Sequence, residues 1–160
     1  MGFGDVIFWY TFGKDKRLIN YRVLKAAYPA KVLLAWTEAV GGHKGLREWL
    51  IENGFKELGI FVYALHNKDD ARKWLMENGH QHLLATIVGA EGKKDAIDWL
   101  ERYDFDLLAR VARSADGDEK SFHWLQQNGH RELAMLSKRM EAVKDEIERD
   151  NNDMHKISQN

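Results

Sequence analysis

A tryptophan followed by a leucine returns every 25 residues in this chain: Trp49-Leu50, Trp74-Leu75, Trp99-Leu100 and Trp124-Leu125. Four residues after each Trp the chain reads Asn53-Gly54, Asn78-Gly79, Tyr103-Asp104 and Asn128-Gly129. A second leucine keeps the same register at Leu58, Leu83, Leu108 and Leu133. A fixed period of this length signals one supersecondary unit copied in tandem, each copy burying its apolar face on the next.

Apolar residues at helical spacing, interrupted by Asn-Gly, predict two helices per unit. Glycine or asparagine accepts the left-handed conformation that ends a helix and satisfies its last carbonyls. The first helix of each unit is expected at 44–53, 69–78, 94–103 and 119–128, and the second at 55–65, 80–89, 105–114 and from 131 onward. Asp69 or Asp70, and Asp118, are placed to cap the first helices, where a carboxylate also suits the helix dipole. Helices of about ten residues are not stable alone in water. The expected fold class is therefore all-α, a solenoid of stacked antiparallel helix pairs.

Extending the register backward puts Leu24 in the Trp position and Leu33 in the leucine position, so residues 16–40 read as a degenerate first unit. Pro29, the one proline, can open a helix over 30–40 that ends at Gly41-Gly42. Residues 1–15 are expected to cap the array; within them, 6–12 read as a short helix, with a strand as the alternative because aromatic and β-branched residues dominate. The repeats proper occupy 41–140. A capping helix is expected to about 149, carried by the stripe Leu133, Leu136, Met140, Val143 and Ile147, with 150–160 as a flexible tail. One domain, 1–149, results.

Composition narrows the chemistry. The 160 residues contain no cysteine, which removes disulfides, thiolate catalysis and cysteine-ligated zinc. A net charge of −1 argues against general polyanion binding, which needs many unbalanced cations. The apolar run at 6–12 is too short to span a bilayer and lacks the basic flank and cleavage site of a signal peptide. A cytoplasmic location is expected.

The string Glu77-Asn78-Gly79-His80-Gln81-His82-Leu83-Leu84 resembles the turn between the two helices of an ankyrin repeat, and Gln127-Asn128-Gly129-His130-Arg131-Glu132-Leu133 resembles it equally. The likeness covers residues 42–139 and implies stacked helix pairs with a protein-binding surface. No unit carries the family's Thr-Pro-Leu-His motif, and the period is about eight residues short of the usual 33. The missing length is that of the β-hairpin finger, so no binding residue transfers.

Candidate sites are few. The in-register tryptophans lie on apolar stripes and are expected in the core; the competing reading is a stacking ladder for bases or sugars. His80-Gln81-His82 offers two imidazoles, but residues two apart on a helix point about 200° away from each other, which disfavours a shared metal. His80 is expected to pack at a helix junction and His82 to sit on the surface. The third unit departs from the pattern at Tyr103, Asp104 and Asp106, and adds Arg110 and Arg113 on one helical face, which makes these five the interaction candidates. Residues 1–40 carry six basic and three acidic side chains, net +3, and Arg17, Arg22 and Lys25 are the basic-face candidates.

No catalytic constellation, phosphate loop, metal set or cofactor motif is visible. The expectation is a non-catalytic module that binds another protein, with no cofactor and no membrane. The alternative is a nucleic-acid-binding helical repeat using the basic N-terminal face.

Overall fold

The computed structural model describes residues 28–158. The expected cap at 1–15, the segment 16–27 and the basic candidates Arg17, Arg22 and Lys25 lie outside the described residues. Within them the chain is all-α: α1 (Ala30–Val40), α2 (Lys44–Glu52), α3 (Lys56–Leu65), α4 (Asp69–Glu77), α5 (Gln81–Ala90), α6 (Lys94–Arg102), α7 (Asp106–Ala115), α8 (Glu119–Gln127) and α9 (Arg131–Ile157). Even-numbered helices are the first of each unit and odd-numbered helices the second. The one large departure is α9, which continues past the expected end near 149 to Ile157, exposed throughout its last ten residues.

Four times, the same bond turns a first helix into a second. Phe55, His80, Phe105 and His130 donate their backbone N–H to the carbonyls of Leu50, Leu75, Leu100 and Leu125, at 2.9, 2.9, 2.8 and 2.9 Å. This is the six-to-one bond of a Schellman ending, and it needs a left-handed residue just before the donor. Gly54, Gly79 and Gly129 supply it at φ of 90°, 80° and 81°, and Asp104 supplies it in the third unit at φ 64°. The Asn before each glycine adds a second bond: the side-chain amides of Asn53, Asn78 and Asn128 each donate to the Trp carbonyl four residues back at 2.8 Å. Starts are less uniform. Asp118 caps α8 as expected, and its carboxylate accepts from Lys120 N and from the Ser121 hydroxyl, which holds its pKa below the usual range. Lys68, not Asp69 or Asp70, precedes α4, and both aspartates lie in its first turn. His43 caps α2 through Nδ1, which accepts from Leu46 N at 3.1 Å.

The register also defines the core. Leu50, Leu75, Leu100 and Leu125 of the first helices are fully buried, as are Leu58 and Leu83, with Leu108 and Leu133 at 1% exposure. Three residues after that second leucine the odd helices bury Phe61, Thr86, Val111 and Leu136, and α1 buries Trp36 at the same register position, all at 0%. Trp36 and Phe61 meet edge to face at 4.9 Å.

Each helix packs on its chain neighbours, and the odd helices also pack on one another in order: α1 on α3, α3 on α5, α5 on α7, α7 on α9. The stack then closes among the described residues, because α9 lies back against α1. Thr37 Oγ1 is 3.4 Å from the Glu132 carbonyl, and Arg139 pairs with Glu38 at 3.5 Å across this seam. Small residues permit the tight curl. A Cβ on Gly89 of α5 would stand 3.1 Å from the Cβ of Ala112 on α7, and the Ser114 and Ser137 hydroxyls meet at 2.7 Å between α7 and α9.

Candidate interaction surface

Each turn presents the same aromatic pair. Trp49 stacks on Phe55 (6.2 Å between centroids, 22° between planes), Trp74 on His80 (5.5 Å, 13°), Trp99 on Phe105 (6.0 Å, 6°) and Trp124 on His130 (5.8 Å, 17°). The Trp precedes the carbonyl acceptor of the Schellman bond and the ring belongs to its donor, so this is the apolar contact that accompanies such endings. The geometry corrects the expectation that all four indoles are core. Trp99 is buried at 4%, Trp49 is 39% exposed, and Trp74 and Trp124 are half-buried. The stack covers one face of each indole at the turn, and the neighbouring leucine takes the core position. Trp99 is enclosed because Tyr103 also packs on it, at 4.9 Å.

Two of the half-buried indoles also carry a cation over the ring. Lys56 Nζ lies 5.1 Å from the Trp74 centroid, and the Arg110 guanidinium carbon lies 3.8 Å from that of Trp124. Both cations come from the second helix of the preceding unit, so each contact staples one hairpin to the next. Attraction between a cation and an indole face is strongest for Trp among the aromatics.

The histidines divide differently from expectation. His80 packs at the junction as its register position implied, half-buried on Trp74, and burial lowers its pKa against the opposing pull of Glu57. His82 is not at the surface. It is 2% exposed and stacks on Phe105 at 5.0 Å and 10°, because the junction ring of the next unit covers it. Burial, with a smaller contribution from His80, pushes its pKa down to about 3. The two imidazoles are 6.1 Å apart and each is stacked on a different ring. No cluster of three or more potential metal-ligating residues occurs among the described residues.

The five third-unit candidates face separate partners. Tyr103 stands where the other units have asparagine and packs on Trp99; Asp104 holds the left-handed turn. Asp106 is exposed in the first turn of α7. Arg110 reaches Trp124, and Arg113 pairs with Glu101 of α6 at 2.5 Å. Tyr103 and Arg113 thus contact residues of their own hairpin, and Arg110 an indole of the next. The register marks His80, with Phe55, Phe105 and His130 at equivalent positions, as a residue of the helix junction; that each stacks on the tryptophan six residues before it emerges only in the structure.

No family model, curated protein or solved structure matches this chain. The chain is a helical repeat whose turns carry partly exposed indoles with ring partners and, at two of them, cations. No helix among the described residues is long and apolar enough to cross a membrane.

Proposed function

We propose that the protein is a non-catalytic binding module that docks another protein along the row of turns between first and second helices. The observation that carries this reading is the partial exposure of Trp49, Trp74 and Trp124 at equivalent positions, with Arg110 beside the last. Tryptophan and arginine are the residues most enriched at the energetic centres of protein interfaces. A stack of short hairpins held by nearest-neighbour contacts presents such groups at regular intervals on a rigid support. The likeness of the Asn-Gly-His turn to ankyrin repeats fits the same role, as a helix pair without the finger. A cytoplasmic setting belongs to this proposal too.

Chemical cross-linking of the full chain to its partner in native lysate, read by mass spectrometry, tests it. The expected result is a saturable protein partner whose cross-links fall on Lys56 and Lys73. Absence of a saturable partner, or cross-links confined to other faces, overturns it. The nucleic-acid alternative depends on Arg17, Arg22 and Lys25, outside the described residues; retardation of random RNA or DNA in a low-salt gel shift would favour it.

A further inference from the structure

The repeat itself shows what a tryptophan at this position accepts. Trp74 has His80 beside it and Lys56 over it, and Trp124 has His130 and Arg110. Trp99 is enclosed. Trp49 has its ring partner, Phe55, but among the described residues no cation lies over it, and it is the most exposed of the four at 39%. Its helix neighbours Glu48 and Glu52 are both exposed and make no ion pair among the described residues. An accessible indole flanked by two unpaired carboxylates attracts a cation and repels a phosphate.

We propose that Trp49 receives an arginine or lysine side chain from the protein partner, completing there the ring, indole and cation arrangement that two later units complete within the chain. The assignment rests on the protein-binding reading above and adds the chemistry of the contact. Arginine suits the site better than lysine, since a planar guanidinium stacks on an indole while it reaches carboxylates with its N–H groups. Glu48 and Glu52 lie one residue before and three after Trp49, so both sit beside the same helical face or its edge.

The test is a titration of the isotopically labelled full chain with a tetra-arginine peptide, following the indole N–H signals by NMR. Trp49→Phe assigns the Trp49 signal, and the remaining indole signals report that this variant is folded. A saturable shift is expected at Trp49, larger than at any other indole and absent with tetraglutamate. The Glu48→Gln/Glu52→Gln double variant should weaken the peptide about threefold or more, by the screened attraction of two surface carboxylates. No shift with tetra-arginine overturns the proposal. So does an equal or larger response to a thymidine oligonucleotide, which would indicate base stacking. A shift that depends on protein concentration without peptide would indicate a second copy on Trp49 and also overturn it. If cross-links map to the turns while Trp49 ignores arginine, the protein-binding reading stands and this assignment falls.

Discussion

Arg110 holds its guanidinium carbon 3.8 Å from the centre of the Trp124 ring and so ties α7 to α8. Its in-register counterparts Ile60, Ala85 and Met135 carry no charge and can make no such contact. Arg110→Ala is expected to lower stability by about 1 kcal/mol, the size of a partly exposed cation–indole contact. Arg110→Lys should recover part of it, because the charge remains and the planar stacking is lost. Urea unfolding midpoints at constant slope measure both.

Trp36 anchors the centre of the stack at 0% exposure, against Phe61. Trp36→Ala should cost roughly 3–5 kcal/mol, through lost burial and the cavity left among α1, α3 and α9. Trp36→Phe should cost much less. The indole N–H finds no hydrogen-bond partner among the described residues, so its removal relieves an unpaired buried donor and offsets part of the lost volume. Equal losses in the two variants would contradict this placement.

Gly59 makes α2 and α3 approach closely. A Cβ there would stand 2.4 Å from Ile51 Cγ1 and 3.1 Å from the Arg47 carbonyl. Alanine favours a helix interior over glycine by roughly 1 kcal/mol, yet overpacking of this kind typically costs about 1–3 kcal/mol. Gly59→Ala is therefore expected to destabilise. Combining it with Ile51→Ala should cost less than the sum of the two single changes, because the shortened side chain vacates the contact.

His82 makes stability fall in acid. Its folded pKa is pushed down to about 3 from the ordinary 6.5, so between those values the unfolded chain binds a proton that the folded chain does not. The contribution is complete above pH 6.5 and is lost as pH falls towards 3. Its slope approaches about 1.4 kcal/mol per pH unit for one fully shifted group. His80, also lowered by burial, acts in the same direction. His82→Leu, which copies Leu107 in the register, should flatten the pH dependence of the thermal midpoint between pH 6.5 and 4. An unchanged slope would place the imidazole in water.

Much of this architecture was legible without coordinates because its causes are local. A Schellman ending needs a left-handed residue at one position and a donor at the next, so Asn53-Gly54, Asn78-Gly79 and Asn128-Gly129 announce it within a few residues. Leucines at the second position of each Trp-Leu pair and at 58, 83, 108 and 133 had to be core, since ten-residue helices stand only by mutual burial. Asp104 and Arg110 were visible as breaks in register, though not their roles. Asp104 substitutes for a glycine, and Arg110 acts on an indole of the following unit.

Side-chain burial at the turns and the closure of the stack were not legible in this way. Periodicity reports which face of a helix is apolar, but whether Trp49 or Leu50 takes the centre depends on the ring that folds back from Phe55. His82 is covered by Phe105, a residue of the next hairpin, and nothing adjacent in the chain shows it. The return of α9 to α1 depends on how closely the second helices pack at Gly89, Ala112, Ser114 and Ser137. Those contacts join residues far apart in the chain, so the closure exists only once the hairpins are packed.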